Sequence, residues 1–570
     1  MSVSPQLGAI LSRLERRRGA GEHVPDGGPL GYAARINAAL GLKVTLPEAD
    51  LERVASSGGL LLLAGRPYGL VEACALLPQL LARRPDLRVL RDTLMEADGL
   101  CRDLTLGPGG DPERWDRAEE HLRQGGAVLA FVQAPLAAGK AGSARAQVEA
   151  LRLARLARAS GATLQALCLD GGKRRPWLRA LGLDKPGQRR LALGSALRRA
   201  VPRLSVRVGG GLGPARLRQV PRDQDAAELL VWRFWLLAHR GSSARRSAPW
   251  RERLRRLKRR PLASPLPPEL LEAELERLPS SAKLAFAGTL ECWAAPAAAI
   301  PGLLREIGRL REESFRAVGE GSGQPLDLDR FDQHYLQLFL WDKASRCVVG
   351  GYRFAAMDQV LEAHGPEGLY AHSLLRFKPE LLAQLDPALE LGRSFVVPAW
   401  QRSYGPLLLL WRGLGAWISA NPRYRRLYGL VSMSAEFQDL SRELVASFVK
   451  QHLYRGDLAR LTRPRRPYLP GYVEGKHDSL TWRLGSNLDE ISRWVSELEP
   501  DGKGLPVLFR QYANLGGFFF GFNVDPAFGH AMDGLVCVDL LQAEPRMLAR
   551  TMGAEESKDY LAWHGRAVPA

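Results

Sequence analysis

The stretch ELGRSFVVPAWQRSYGPLLLLWRGLGAWI, residues 390–418, sets an apolar strand against a long apolar helix with a short turn between them. LELGRSFVVP (389–398) reads as the strand and PLLLLWRGLGAWISAN (406–421) as the helix; the turn holds Arg402 and Gly405. A helix N-terminus exposes unpaired backbone N–H groups and a positive dipole end, so an arginine beside it makes an anion site. An ordinary strand–turn–helix connection fits the same residues. The flanking sequence has to decide between them.

The flanking sequence keeps alternating between helical and strand-like runs. Upstream, LLREIGRLREESFRAV (303–318) has apolar residues at helical spacing, and CVVGGYRFAAM (347–357) is strand-like. Downstream, LYGLVSMS (427–434), FFFGFN and GLVCVDLL supply further strands. In the first 238 residues, GGLLLLAG (58–65), GGAVLAFV (125–132), ATLQALCLD (162–170) and SVRVGG (205–210) read as strands. The helical LVEACALLPQLLARRP, the strand-like LRVL and the helical AQVEALRLARLARASG lie between them. This alternation predicts an α/β layer architecture. The basic run RRSAPWRERLRRLKRR (245–260) and the Pro-rich PLASPLPPEL after it mark the boundary between two blocks. The expected organisation is an N-terminal α/β domain over 1–240, a basic, Pro-rich linker over 241–268 and a C-terminal α+β domain over 269–570.

A chain of 570 residues is too long for one hydrophobic core. Its net charge of +19 predicts attraction to an anionic partner: nucleic acid, an acidic membrane surface or an acidic protein. A general preference for arginine over lysine accounts for part of that excess. No nucleic-acid reading motif is present, so nucleic acid is not an expected partner. Cysteines 74, 101, 168, 292, 347 and 537 show neither CxxC spacing nor a Cys/His cluster suited to zinc, and fit a reducing compartment. The N-terminus lacks a secretory signal and no apolar run spans a bilayer. The expectation is a cytoplasmic protein, peripheral to the inner face of the membrane.

Several long segments occur in the order found in one known family. They are LREIGRLREESFRAVGEGSGQPLDLDRFDQHYLQLFLWD, VVGGYRF, LELGRSFVVP, LYGLVSMS and LGGFFFGFNVDPAFGHAMDGLVCVDL, together covering nearly all of residues 300–553. They resemble the ornithine-lipid, or hemolysin-like, N-acyltransferases, a GNAT branch related to the acyl-homoserine-lactone synthases. The resemblance implies a GNAT fold and transfer of a long 3-hydroxyacyl chain to the α-amine of an amino acid such as ornithine. It implies acyl carrier protein, or coenzyme A, as carrier of the chain, and no permanently bound cofactor or metal. In GNAT folds the strand–helix junction grips the phosphates of the pantetheine arm. Arg402, Ser403, Tyr404 and Gly405 fill that pattern, although Leu407 stands where a small residue is usual.

The same resemblance picks out candidate catalytic residues. Glu390 and Arg393 look like the Glu/Arg pair of the homoserine-lactone synthases, and Asp329 and Asp332 like their acidic pair. Arg311 and Phe315 match the family's helix and are expected to close the site. The acceptor ammonium must lose a proton as it attacks the thioester, which a nearby carboxylate can promote. Glu390 is the expected base or amine-orienting group, with Arg393, Asp329 and Asp332 orienting substrate or forming an ion-pair network. A purely structural salt-bridge network fits these charges too. Asn523, Asp525, Asp533 and Gly534 belong to a segment with turn composition, and His530 reads as a surface or packing residue.

The N-terminal block resembles the lysophospholipid and glycerol-phosphate acyltransferases, but its motifs are degraded. Arg66 stands in place of the catalytic histidine, and a guanidinium cannot take a proton from an attacking hydroxyl. Glu72 keeps the carboxylate that would orient the missing imidazole. Gln133, Ala134 and Pro135 replace the acidic, Gly-containing phosphate motif, and Asp170, Gly171 and Gly172 are what survives of the third. The expectation is a folded domain without O-acyl transfer. A two-headed enzyme making the diacylated lipid, and an inactive scaffold binding membrane or acyl carrier, are the competing readings. The basic run suits an anionic membrane or the acidic carrier protein, and equally a solvated linker helix.

Overall fold

The computed structural model describes residue 37 and residues 43–65, 70–90, 104–107, 112–132, 144–170, 203–240, 259–469 and 487–566. The chain forms two compact units, Met1–Ser242 and Ser243–Ala570. Both are mixed α/β structures, as the strand–helix alternation predicts.

In the first unit, strands β1 (Lys43–Thr45), β2 (Leu60–Gly65), β3 (Arg88–Leu90), β4 (Ala127–Val132), β5 (Thr163–Asp170) and β6 (Arg203–Val208) form one sheet. Its order is β1-β6-β5-β2-β4-β3. Strands β5, β2, β4 and β3 run parallel, and β6 is antiparallel to β5. Parallel strands covered on both faces read as continuous apolar runs, and β4 is buried at every position. Helices α1 (Leu70–Arg83), α2 (Ala144–Ser160) and α3 (Asp223–His239) complete the layers. Arg66 and residues 133–135, 171 and 172 lie outside the described residues, as does the side chain of Glu72.

The described part of the second unit begins with an extended segment that pairs Arg260 N–H with Gly323 and Ala263 N–H with Pro325. After α4 (Pro268–Glu276) come β7 (Lys283–Ala287), β8 (Leu290–Pro296), α5 (Pro301–Ala317), β9 (Leu336–Asp342) and β10 (Cys347–Ala356). The short α6 (Tyr370–Leu374) and β11 (Leu375–Phe377) precede β12 (Ala388–Val396), α7 (Gly405–Ala420) and β13 (Arg426–Met433). Helix α8 (Asp439–His452), β14 (Thr462–Pro464), α9 (Val507–Asn514), β15 (Phe518–Asp525) and β16 (Ala531–Asp539) follow. Eight strands form one sheet in the order β15-β16-β13-β12-β10-β9-β8-β7. β11 and β14 make a separate small ladder.

One feature of this sheet positions the site. β12 and β13 are parallel neighbours, but only Ala388–Leu391 pair with Arg426–Gly429. Beyond that point β12 stays with β10 through Val396, while β13 stays with β16 through Met433. The two strands therefore part like a V. Gly429 is the last paired residue, and a Cβ there would lie 2.2 Å from the Leu391 carbonyl oxygen. Only glycine lets the strands approach this closely before they separate. Helix α5 packs on one face of the sheet against β10 and β12; α7 covers β7–β10, with Trp411 against Tyr352 on the other face.

Candidate active site

Glu390 and Arg393 sit on β12 where it leaves β13. Residues three apart on a regular strand point to opposite faces. The β10–β12 register slips here: Gly351 pairs with Phe395 and Arg353 with Gly392, so β12 carries one extra residue. Arg393 takes up the bulge with φ of 51°, a backbone region that non-glycine residues rarely adopt. The bulge turns its side chain to the face that carries Glu390. Bulges of this kind re-aim side chains beside functional sites.

Arg393 then meets three groups. Its Nη1 donates to Tyr370 Oη at 3.0 Å, its Nε pairs with Asp327 at 3.1 Å and its Nη2 with Asp329 at 3.4 Å. The guanidinium also lies 4.9 Å from the ring centroids of Tyr370 and Phe528. Behind it, Arg311 binds Asp327 and Asp332, and the fully buried Arg353 binds Asp329 and Asp332. Three arginines thus interleave with three aspartates, which keeps this much buried charge balanced.

The three-residue spacing of Asp329 and Asp332 has a local cause. They form the capping box of a one-turn 3-10 helix, Arg330–Gln333: Asp329 accepts from Phe331 N–H and Asp332 from Asp329 N–H. Burial works against ionisation of Asp329, but Arg353 and then Arg393 outweigh it and hold its pKa below the usual range. Burial also opposes ionisation of Asp332, and Arg311 with Arg353 overcomes it. Both carboxylates are therefore charged and tied to arginine. Phe315, one turn along from Arg311 on α5, packs edge-on against Phe528 at 4.9 Å, beneath Arg393.

Glu390 is fully buried and its carboxylate is already engaged. Oε2 accepts from Tyr335 Oη at 2.5 Å and Oε1 from Ala371 N–H at 2.5 Å, with Tyr428 Oη at 3.4 Å. Tyr335 Oη in turn accepts from Tyr370 N–H at 3.0 Å. Burial raises the pKa of Glu390, and the donors from Tyr335 and Ala371 partly offset that rise. Glu390 therefore fixes the start of α6, and with it the tyrosine that receives Arg393.

A second set of carboxylates faces Arg393. Asp533, on β16 opposite Ser432 of the diverging β13, is fully buried and accepts from Ser432 Oγ at 2.7 Å. Burial, with Asp525 and Glu320 nearby, pushes its pKa up to about 8, against a downward pull from Ser432 and Arg393. Glu320, just past α5, is pushed up to about 7 by burial and by Glu436, with Arg393 opposing. Burial thus raises both of these groups above the ordinary carboxylate range, whereas arginines hold Asp329 and Asp332 below it. Among the described residues no His/Cys/Asp/Glu group is arranged to hold a metal ion.

Residues 310–411, from α5 into the start of α7, match the sequence family described as "Acetyltransferase (GNAT) domain". The chain is 32% identical over 283 residues to a glycine N(alpha)-acyltransferase of Phocaeicola vulgatus, spanning 47% of this chain and 85% of that protein. The chain belongs to the GNAT acyltransferase family. A glycine N(alpha)-acyltransferase of Bacteroides thetaiotaomicron is 29% identical over 264 residues, covering 43% of this chain and 77% of that protein. No solved structure gives a significant match.

Within the GNAT unit, residues 402–404 lie in the turn that leads from β12 into α7. Arg402, Ser403, Tyr404 and Gly405 are all exposed, and Gly405 begins α7. His530 is exposed at the β15–β16 turn with φ of 59°. Asp525 caps that turn by accepting from Ala527 N–H, and Asn523 accepts from Arg466 N–H. Structure adds Arg353, Asp327, Tyr335, Tyr370 and Glu320 to the candidate residues. A lone arginine inside the apolar run VVGGYRFAA is a legible signal, because arginine is rarely buried unless paired. Nothing in the sequence marks the two tyrosines.

Proposed function

We propose that this GNAT enzyme transfers a long acyl chain, 3-hydroxylated as in the aminolipid-forming branch it resembles, from a thioester to the α-amine of an amino acid. The observation that carries this reading is the bulge at Arg393, which sets one cation between two sets of carboxylates with different proton affinities. An amino acid brings opposite charges on neighbouring carbons. Its carboxylate suits Arg393 and Tyr370, and its ammonium suits Asp533 and Glu320. The amine gives a proton to a carboxylate there, its nitrogen attacks the thioester carbonyl, the C–S bond breaks and the departing thiolate takes up a proton. In this reading Glu390, with Arg311, Arg353, Asp329 and Asp332, holds Arg393 and Tyr370 in place. Glycine, named in both relatives, and ornithine, named by the resemblance, are the acceptors to try first.

The exposed turn 402–405 suits the phosphates of the donor, whether coenzyme A or acyl carrier protein supplies the arm. Arg402→Ala should raise KM for the donor about tenfold and leave kcat within about twofold, since a uniform binding contact is lost. An unchanged KM would remove the phosphate role. Function itself is tested by expressing the full chain in a host lacking aminolipids and analysing its lipids by mass spectrometry. An N-acyl amino acid lipid is the expected product; no new lipid, in cells that make the folded protein, would refute the assignment.

For the N-terminal unit we propose a relative of the lysophospholipid acyltransferases that has lost its chemistry. The arginine at position 66 and the altered later motifs support this. The full chain should not acylate a lysophospholipid or a lyso-aminolipid. Turnover of either that disappears in Glu72→Ala would overturn the proposal. Among the described residues no helix is long and apolar enough to cross a membrane. Contact with an anionic bilayer, through the basic run 245–260, remains part of this proposal.

A further inference from the structure

The small β11/β14 ladder has two unlike faces. Leu375 pairs with Pro464, Arg376 with Arg463 and Phe377 with Thr462. Bonds from Arg465 N–H to the Leu374 carbonyl and from Lys378 N–H to that of Leu461 extend the pairing at both ends. Side chains alternate along a strand, so the residues sort onto two sides. Leu375 and Phe377 point inward and are buried, Phe377 with its ring 6.3 Å from that of Tyr428. The Tyr428 hydroxyl approaches Glu390. The inner face thus packs onto the residues around Glu390.

The outer face carries Arg376, Lys378, Arg463 and Arg465, all exposed, and no carboxylate. Among the described residues none of these four forms an ion pair. Arg376 and Arg463 stand directly opposite each other, and like charges so placed destabilise an antiparallel pair. Neither charge helps the ladder to form. On α6, burial lowers the pKa of His372, and Arg465 and Arg376 add to that pull against Glu367. The cations therefore lie beside the helix whose Tyr370 receives Arg393. From β14 the chain runs on through the exposed Arg466 to Leu469, which is 77% exposed. Cations beside an exposed leucine suit a bilayer, whose headgroups take the charge and whose interface takes the apolar side chain. The acyl chain of the proposed product also has to leave water.

We infer that the outer face of the β11/β14 ladder, with Leu469, seats the GNAT unit on an anionic phospholipid bilayer, beside the surface that takes up its product. This rests on the proposed acyl transfer and deepens it. It gives the catalytic unit a membrane contact of its own, separate from the basic run 245–260.

The test follows the full chain onto vesicles by co-sedimentation, using phosphatidylcholine alone or mixed with phosphatidylglycerol. Wild type should bind the mixed vesicles and leave the neutral ones. A cation near a charged bilayer is worth about fivefold in partitioning, so the double variant Arg376→Gln/Arg463→Gln should bind about 25-fold more weakly. Leu469→Ser should weaken binding about tenfold, because an apolar side chain no longer leaves water. Arg546→Gln/Arg550→Gln removes the same charge from the exposed side of helix Pro545–Met552. It should stay within about twofold of wild type, since charges away from the bilayer are screened. The ladder variant should melt no lower than wild type, having lost a like-charge pair, and should acylate unchanged with a soluble acyl-CoA and no vesicles. A lower melting temperature would make the arginines part of the fold and overturn the inference. Wild-type binding in the ladder variant overturns it, and so does an equal loss in the control, which would reduce the attraction to net charge. Loss of binding to an acidic carrier protein alone, with vesicle binding intact, overturns it as well. If vesicle binding follows the ladder but no amino acid is acylated, the proposed function fails and the surface stands.

Discussion

Replacing Glu390 with alanine should lower the rate of N-acylation about a thousandfold while leaving donor binding nearly unchanged. The carboxylate receives Tyr335 Oη and Ala371 N–H, and Tyr335 Oη receives Tyr370 N–H. Removing it leaves these two buried donors, and the more distant Tyr428 Oη, without their acceptor, at about 1–3 kcal/mol for each donor left unpaired. The first turn of α6 loses its anchor, and Tyr370 Oη, the partner of Arg393 Nη1, moves with it. Misplacing an orienting group by an ångström can cost a hundredfold or so in rate. Glu390→Gln separates position from charge, because its amide oxygen still accepts from Ala371 N–H. If Glu390 acts by holding α6, the glutamine variant should keep at least ~10% of wild-type turnover and most of the stability. If instead Glu390 accepts the amine proton, glutamine should be as poor as alanine. An alanine variant with full activity would remove Glu390 from the site altogether.

The element types on either side of the turn at 402–405 were legible because apolar run length and glycine punctuation suffice for them. All four long strands expected in the first unit are present, and β10, β12, β13, β15 and β16 of the second lie where their apolar runs fall. β7, β8 and β9 are not among the strands expected from the sequence; β7 is a half-exposed edge strand whose small residues give little alternation. The signal available was the turn between β7 and β8, where Gly288 adopts a φ of 59°. The site was legible in part. Glu390, Arg393, Asp329 and Asp332 do converge, with Arg311 behind them. Their arrangement was not readable, because it depends on a one-residue register slip that turns Arg393 to the face of Glu390. Periodicity alone would have put the two on opposite faces. Tyr335 and Tyr370 are distant in sequence from Glu390 and act through a backbone N–H and a phenol, which leave no mark in composition. The charges of Glu320 and Asp533 likewise become unusual only once burial and neighbouring carboxylates are known.

Asp533→Asn should stabilise the protein at alkaline pH and disable it as an enzyme. In the folded chain this carboxyl has its pKa raised to about 8 from an ordinary 3.8, chiefly by burial. Below its ordinary value the group is protonated in both states, and its contribution to stability is complete. As pH rises toward 8 the unfolded chain releases the proton and the folded chain keeps it, so stability is progressively lost. Each tenfold gap in proton affinity is worth about 1.4 kcal/mol, so holding this group charged in the fold costs several kcal/mol. Asparagine does not titrate. The variant's melting temperature should exceed that of wild type at about pH 9 by more than it does at about pH 5. Activity should move the other way. In wild type the acylation rate should climb as pH approaches 8, because a carboxylate must be ionised to take the proton of the acceptor ammonium. Asp533→Asn should lose that limb and about a hundredfold in rate. A variant that is both fully active and more stable would show Asp533 to be a buried structural charge, and would leave Glu320 as the carboxylate able to change protonation near neutrality beside Arg393.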